Sequence, residues 1–231
     1  MVYNWLNCTL DWLLPATCRL CLAAGHNQLE LCRDCLADLP RIIHACRRCA
    51  RPLPDETGPV CGRCQRHPPA FDQCSALFRY QYPVDDLIKR IKFQQDLALL
   101  RSLGKLLSLQ MQQQGYQPDL LLPVPLHWRR LAERGYNQAL ELARPCARDN
   151  KLSLDYRICK RRRATAAQSG LPARQRRRNM RGAFVVNREV TDLHITLIDD
   201  VLTTGSTLGE LAKVLKQAGA RRVDAWVIAR T

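Results

Sequence analysis

Apolar residues recur along residues 75–231 with two different periods, which predict a series of alternating strands and helices. A helical period predicts helices over 84–93, 97–114, 136–147 and 206–218. Short apolar stretches predict strands over 75–83, 119–126, 154–159, 194–201 and 222–229. Strands that are apolar on both faces and alternate with helices are typical of parallel sheets covered on both sides. We therefore expect an α/β fold with a mostly parallel sheet and flanking helices.

The pattern changes before residue 75, where cysteines replace the apolar periodicity. Eight of the 12 cysteines form four Cys-X-X-Cys pairs, namely Cys18/Cys21, Cys32/Cys35, Cys46/Cys49 and Cys61/Cys64. Two such pairs supply the four thiolates of a tetrahedral site, so four pairs predict two structural zinc sites. We favour sequential pairing, first with second and third with fourth, although the spacing leaves a cross-braced arrangement open. Cys8, Cys74, Cys146 and Cys159 are expected to be ordinary thiols.

Three other chemistries also use closely spaced cysteines: a disulfide framework, an iron–sulfur site and a redox pair. Four nearly regular repeats argue against a single redox pair. The N-terminal sequence has no basic export signal, and no apolar stretch is long enough to predict membrane insertion. We therefore expect a reducing, cytoplasmic location, which disfavours disulfides.

The change in pattern also predicts the domain organisation. We place a boundary near residues 68–75, around two consecutive prolines. This gives an N-terminal apolar segment at 1–17, a double zinc ribbon at 18–74 and a larger domain at 75–231. The ribbon has few periodic apolar residues, so it is expected to need metal in order to fold.

The most specific motif occupies residues 198–207, where an apolar strand ends and a helix begins. The acidic pair Asp199 and Asp200 precedes a loop of small, hydroxyl-rich residues, which consists of Thr203, Thr204, Gly205, Ser206 and Thr207. Amide groups of such a loop at a helix N-terminus bind phosphate. Carboxylates would repel that phosphate, but they suit neighbouring ribose hydroxyls or Mg²⁺. The alternative is a helix-capping turn next to two surface aspartates.

This motif resembles the signature of type I phosphoribosyltransferases, which bind phosphoribosyl pyrophosphate (PRPP). The resemblance implies a type I phosphoribosyltransferase-like fold for residues 75–231. It also implies PRPP as a ligand, together with Mg²⁺, at the acidic pair and the hydroxyl-rich loop.

The charge of the chain is strongly positive and concentrated in one segment. Lys and Arg number 36 against 21 Asp and Glu, which gives a formal net charge of +15. Residues 160–181 contain no acid and nine basic residues, which are Lys160, Arg161, Arg162, Arg163, Arg174, Arg176, Arg177, Arg178 and Arg181. Such density predicts binding to nucleic-acid phosphates, whereas the plainer alternative is a solvated loop. The run contains no aromatic residue, so binding is expected to be sequence-tolerant.

A wider resemblance covers nearly the whole chain from about Cys18 onward. The segments 78–93 and 121–143, in their place after the cysteine pairs, resemble blocks of the ComF-type competence proteins, which include the GntX group. The resemblance implies a double zinc ribbon, a phosphoribosyltransferase-type domain and a role in handling single-stranded DNA taken up by bacteria. Proteins of the DNA-uptake machinery are then possible partners.

The same resemblance implies roles for two loops. The loop 123–138 would face pyrophosphate, with Arg134 favoured over Arg129 and Arg130 as its ligand. Residues 160–181 would form a flap over the site.

Three functions fit these patterns. The first is a PRPP-binding protein that handles single-stranded DNA for competence or nutrition. The second is an active phosphoribosyltransferase with an unknown acceptor, and enzymatic activity is left open because no segment resembles a base-recognition hood. The third is a regulator that senses PRPP and uses its zinc ribbon for protein contacts.

Overall fold

The computed structural model describes residues 16–54, 58–163 and 180–231. Its helices in these ranges are α1 (Arg33–Ala37), α2 (Gly62–Arg66), α3 (Val84–Phe93), α4 (Leu97–Gln113), α5 (Trp128–Arg134), α6 (Gln138–Asn150) and α7 (Ser206–Gln217). Its strands are β1 (Cys74–Arg79), β2 (Leu120–Pro123), β3 (Cys159–Arg161), β4 (Phe184–Val186), β5 (His194–Leu202) and β6 (Arg222–Arg230). Most of the predicted N-terminal segment 1–17 lies outside the described residues.

The main sheet contains four strands in the order β1-β6-β5-β2, and every neighbouring pair is parallel. Successive residues of the central strands point to opposite faces. Ile198 and Trp226 pack on the side of α3, α4 and α6, whereas Leu197 and Val227 pack on the side of α7. Both faces are therefore covered by helices, which explains why β5 and β6 are apolar at consecutive positions. The expected α/β class is confirmed.

Helices α4 and α6 cross closely because a glycine lies at their contact. A Cβ atom added at Gly104 would lie 3.1 Å from the carbonyl oxygen of Leu142 and 3.1 Å from Cγ of Pro145. A larger side chain at residue 104 would therefore push α6 away from α4. This contact fixes α6 against the sheet and thereby positions the loop that precedes it.

The structure corrects the sequence predictions at three places. The loop expected over 123–138 contains helix α5, which ends at Gly135 with a left-handed φ of 75°. Helix α6 begins at Gln138 rather than at 136, because the Asn137 side chain caps it by accepting a hydrogen bond from the Ala139 amide at 3.0 Å. Of the strand expected over 154–159, Leu154 forms one bridge to Leu121, and Cys159 is the first residue of β3, which pairs antiparallel with β4.

The cysteine-rich residues pack directly on the sheet and its helices. Leu29 and Leu31 belong to the same buried apolar cluster as Leu99 and Leu100 of α4. The carbonyl oxygen of Arg47 accepts a hydrogen bond from the amide of Cys74, the first residue of β1, at 3.0 Å. The sequence boundary near 68–75 thus coincides with the start of β1, and the division into separate domains stays a prediction.

Both edges of the main sheet are bonded to irregular segments. Residues 40–42 exchange backbone hydrogen bonds with Leu77 and Arg79 on β1. Residues 153–155 do the same with Leu121 on β2. Among the described helices, none combines the length and apolarity needed to cross a bilayer.

Candidate zinc centres and phosphate-binding loop

The eight paired cysteines form two clusters in which the sulfur atoms lie within 4.8 Å of one another. Cluster 1 consists of Cys18, Cys21, Cys32 and Cys35, and cluster 2 consists of Cys46, Cys49, Cys61 and Cys64. The sequential pairing is thereby confirmed. These cysteines are free thiols in the structure, and no disulfide joins them.

The geometry of both clusters fits zinc. A tetrahedral site with Zn–S bonds of 2.3 Å places its sulfurs about 3.8 Å apart. The Sγ atoms of Cys21 and Cys32 are 3.6 Å apart, and those of Cys49 and Cys61 are 3.8 Å apart. Four soft thiolates in a closed set favour zinc over harder ions. The donor set and the sulfur spacing of both clusters therefore fit structural zinc sites of the ribbon type.

Backbone amides point at the sulfurs and favour their thiolate form. The Sγ of Cys32 caps α1 by accepting a hydrogen bond from the Cys35 amide at 3.4 Å, and the Sγ of Cys46 accepts one from the Cys61 amide at 3.3 Å. Burial raises the pKa of Cys18, but the surrounding backbone amides outweigh burial and lower that pKa to about 6. In cluster 2, burial raises the pKa of Cys61, but hydrogen bonds from the Cys64 amide and from the thiols of Cys64, Cys46 and Cys49 outweigh burial and lower that pKa to about 7. Each cluster thus contains one sulfur prepared to lose its proton to a metal.

The acidic pair lies near the carboxyl end of β5, where ligands of open α/β sheets bind. Asp200 is buried, and its carboxylate forms an ion pair of 2.9 Å with Nζ of Lys92 on α3. The carboxylate of Asp199 accepts a hydrogen bond from the Asp200 amide at 2.9 Å. Burial and the neighbouring Asp200 carboxylate raise the pKa of Asp199 to about 7. The charge of Asp200 is therefore balanced by Lys92, whereas ionisation of Asp199 is unfavourable.

The hydroxyl loop, residues 203–207, connects β5 to α7. Gly205 has a left-handed φ of 78° and occupies the N-cap of α7 without a side-chain capping bond. The hydroxyls of Thr204 and Ser206 lie 2.7 Å apart, and the loop residues are partly exposed. The ring of Phe71 lies 3.8 Å from the position that a Cβ of Gly205 would occupy. The loop therefore presents hydroxyls and the first amides of a twelve-residue helix, which is an arrangement that binds phosphate.

Two cations, Lys92 and Arg161, lie near the acidic pair, and neither is the expected ligand Arg134. Burial and the nearby Arg130 lower the pKa of Arg161, while Asp199 raises it, so these three groups share one electrostatic environment. Arg134 instead ends α5, and its guanidinium donates a hydrogen bond of 3.0 Å to the side-chain oxygen of Gln138. No contact among the described residues joins Arg134 to the hydroxyl loop.

Sequence analysis did not identify Lys92 as a site residue. Only the apolar neighbour Ile91 indicated that this turn of α3 packs against the rest of the protein. That pattern does not identify an ion-pair partner for Lys92. The ion pair with Asp200 appears only when α3 is packed against the end of β5.

The basic run is described at its two ends only. Lys160, Arg161, Arg162, Arg163 and Arg181 lie within the described residues, whereas Arg174, Arg176, Arg177 and Arg178 lie outside them. The two ends meet, because Nη1 of Arg163 donates to the carbonyl oxygen of Arg181 at 3.3 Å. The amide of Gly182 then donates to the Glu210 carboxylate on α7 at 2.7 Å. Both ends of the run are therefore held next to the helix that carries the hydroxyl loop.

A cavity of about 290 Å³ separates the hydroxyl loop from cluster 2. Arg63 and Cys64 line it from the ribbon, Phe71 lines it from the segment before β1, and Thr204 and Ser206 line it from the loop. Cluster 2 is therefore a neighbour of the loop, which the sequence did not indicate.

The chain is similar to several known proteins. A family model described as a double zinc ribbon domain matches residues 9–65. A solved purine phosphoribosyltransferase from Pyrococcus horikoshii overlaps with a TM-score of 0.35 at 14% identity, over 56% of this chain and 80% of that chain. The protein named DNA utilization protein YhgH in Escherichia coli (strain K12) is 38% identical over 176 residues, which are 74% of this chain and 78% of the relative. Competence protein F of Haemophilus influenzae is 36% identical over 178 residues, again 74% and 78%. The chain therefore belongs to the family of competence and DNA utilization proteins that includes these two relatives.

Proposed function

We propose that this protein binds PRPP at the acidic pair and the hydroxyl loop, and that it handles single-stranded DNA during DNA uptake or utilization, in the cytoplasm. The observation that carries the proposal is the order of chemical groups from β5 to α7. A carboxylate pair ends a buried strand, and a hydroxyl loop with a left-handed glycine opens the next helix. Two relatives are named for DNA utilization and for competence, and these names support the DNA part of the proposal.

Each end of the site has its own chemical task in this proposal. The amides and hydroxyls of residues 203–207 would hold the 5′-phosphate, while Asp199 and Asp200 would accept hydrogen bonds from the ribose hydroxyls or hold Mg²⁺. Lys92 and Arg161 supply positive charge near the carboxylates, and Arg130 adds charge near Arg161; together they would balance a diphosphate. Arg134 stays a weaker candidate, because its guanidinium is engaged with Gln138.

DNA would bind mainly through the basic run. Its nine cations and lack of acids predict a backbone-led interaction that weakens steeply with salt. Neutralising Arg176, Arg177 and Arg178 is expected to weaken DNA binding and reduce its salt dependence. Equal binding by that variant and the parent across a salt series would contradict this part of the proposal.

Calorimetry of PRPP with Mg²⁺ and of a single-stranded oligonucleotide, separately and together, tests the whole proposal. Binding of both ligands is expected, and a change in the affinity for one by the other would show that they are coupled. Asp200→Asn is expected to weaken PRPP binding about tenfold or more, since it removes a charged acceptor. Asp192→Asn, in an exposed turn, is the matched control. Absence of PRPP binding by the parent, or equal affinity in the two variants, would contradict the PRPP site.

Catalysis is a second candidate, favoured by the cations around the acidic pair. Loss of pyrophosphate from PRPP would leave negative charge where Lys92 and Arg161 are close to the carboxylates. Pyrophosphate release that depends on an added base and on Asp199 would support an active phosphoribosyltransferase. Absence of release with a panel of nucleobases and amines would support binding alone.

A further inference from the structure

A second basic surface lies away from the acidic pair and the hydroxyl loop. It is an open cleft of about 680 Å³, lined from the ribbon by Arg47 and Arg48 and from the start of β6 by Arg221 and Arg222. We call it the basic cleft. It lies at the amino ends of the parallel strands, whereas the hydroxyl loop follows their carboxyl ends. Eight residue steps along β5 separate the two edges by about 25 Å.

The acids around the basic cleft are largely neutralised by other groups. The Asp72 carboxylate accepts hydrogen bonds from Nζ of Lys216 at 2.7 Å and from the Val223 amide at 2.9 Å. The buried carboxylate of Asp224 pairs with Arg222 at 2.9 Å and also accepts hydrogen bonds from two neighbouring side chains, His194 and Tyr116. These acids therefore leave little negative charge to balance further arginines.

Three of the four arginines have no close ion-pair partner among the described residues. Arg221 is 3.8 Å from Asp119, at the limit of an ion pair, with the two side chains 65% and 50% exposed. Such an exposed contact contributes little. Within the described part of the chain, no ion pair is recorded for Arg47 or Arg48, and Arg47 is exposed. The cleft thus presents guanidinium groups from two walls that are far apart in sequence.

The shape and charge together indicate the class of ligand. Guanidinium groups match phosphate oxygens and stay charged at any physiological pH. A cleft of this volume admits a short stretch of one strand. The one aromatic ring in its described lining is the imidazole of His194, and its Nε2 is hydrogen-bonded to the Asp224 carboxylate at 2.9 Å. A row of phosphates, rather than particular bases, is what such a surface recognises.

We propose that the basic cleft binds the backbone of single-stranded nucleic acid, as a contact separate from the PRPP site. The proposal rests on the DNA-handling function proposed above and adds a second surface to it. Because the cleft is at the opposite edge of the sheet, PRPP does not compete for it. One strand that contacts both the basic run and the cleft would have to pass along the length of the sheet.

A competing role for Arg47 and Arg48 is charge compensation of cluster 2. Both residues lie between the ligands Cys46 and Cys49, and a zinc ion with four thiolates carries a formal charge of about −2. If that were their only role, replacing them would weaken zinc retention and leave nucleic-acid binding unchanged. Zinc content is therefore measured for every variant.

Fluorescence anisotropy of a labelled oligothymidylate across a salt series tests the proposal. The salt slope of single-strand binding changes by about 0.7 for each phosphate contact. Arg47→Ala/Arg48→Ala is thus expected to weaken binding and reduce the slope by about 1.4. Arg101→Ala/Arg144→Ala removes the same charge from exposed positions on α4 and α6, and it is expected to leave the slope unchanged. Arg221→Ala, outside the zinc ribbon, is expected to reduce the slope by about 0.7 even if the ribbon variant misfolds.

The outcomes separate this proposal from the proposed function. If the parent binds DNA and both cleft variants keep its affinity and salt slope, the cleft proposal is overturned. The proposed function is then unaffected. The same conclusion follows if the control pair weakens binding as much as the cleft pair. A parent that binds PRPP but no single strand would overturn both the cleft and the DNA part of the function. Unchanged PRPP affinity in Arg221→Ala, measured by calorimetry, is expected because the two sites are separate.

Discussion

Arg230 joins the backbone of cluster 2 to the strand that carries the hydroxyl loop. Its Nε donates a hydrogen bond of 2.9 Å to the carbonyl oxygen of Cys49, and its Nη1 donates one of 3.1 Å to the carbonyl oxygen of Leu202. Only 5% of Arg230 is exposed, so these bonds are made away from water. A zinc ligand and the residue just before the loop therefore share one guanidinium group.

Replacing Arg230 is expected to destabilise the protein. Arg230→Met leaves the Cys49 carbonyl without this donor and removes a buried charge-assisted bond to Leu202, for an expected loss of about 1–3 kcal/mol in the free energy of unfolding. Urea unfolding followed by circular dichroism measures it. Arg79→Met, at the exposed end of β1, is the control and is expected to change stability by less than about 0.5 kcal/mol. Equal effects of the two substitutions would refute a structural role for the Arg230 contacts.

Native mass spectrometry is expected to find two zinc ions in each chain, one for each cysteine cluster. Cys32→Ser is expected to lose one ion, because it removes a thiolate from a closed site. It should also lower the melting temperature of the whole protein, since Cys32 lies in the same apolar cluster as Leu99 and Leu100. Cys146→Ala, at a buried cysteine outside both clusters, should retain both ions. A Cys32→Ser protein that still holds two ions would show that the ligand set is different.

The stability of the protein is expected to depend on pH through Asp199. Its pKa of about 7 lies above the value of about 3.9 for an unfolded aspartate. Between these values the folded state holds a proton that the unfolded state has lost, so stability falls as pH rises from about 4 to 7 and stays lower above 7.

Asp199→Asn removes this cost, so in the absence of Mg²⁺ and PRPP it should be more stable than the parent at pH 8. Asp199 is partly buried and keeps some contact with solvent, which screens its charge, so the expected gain in the free energy of unfolding is about 1–2 kcal/mol. The difference should shrink as the pH is lowered towards 5, and denaturant unfolding at a series of pH values measures it. A constant difference across that range would mean that Asp199 does not titrate there.

The left-handed glycine of the hydroxyl loop allows a matched comparison. Gly205 has a φ of +78° and Gly115 has a φ of +56°, so alanine is strained at both positions, at a cost of about 1 kcal/mol. Gly205→Ala is expected to weaken PRPP binding as well, because the loop amides are displaced from the phosphate. Gly115→Ala should affect stability alone. Calorimetry with PRPP checks both, and similar PRPP affinities for the two variants would argue that phosphate does not bind at the loop.

Long apolar elements were the most predictable part of the fold. Helix α3 has the predicted bounds, and β5 extends only one residue past its predicted end. In each case a sustained apolar period agrees with the buried face of the element. Helix α5 was missed because its seven residues bury none of their side chains and follow a proline-rich segment. Strands β3 and β4 are three residues each, which is too short for alternation to be recognised.

The same holds for the site. Features made of residues adjacent in sequence were predictable, whereas features that combine residues from separate elements were not. Asp199, Asp200 and the hydroxyl loop adjoin in sequence, and the cysteine pairs repeat at nearly regular intervals, so both were apparent without a structure. Lys92 and Arg230 reach their partners from other elements, and neither carries a local signal. The basic cleft likewise unites Arg47 with Arg221 only after the ribbon has packed on β1.

The segments bonded to the two outer strands give the sheet a protection that its helices do not provide. An uncovered edge strand offers free amide and carbonyl groups on which another chain can add a strand and begin aggregation. Residues 40–42 occupy part of that edge on β1, and residues 153–155 occupy part of it on β2. The cysteine-rich region therefore covers part of the β1 edge, and this cover depends on the folded shape of that region.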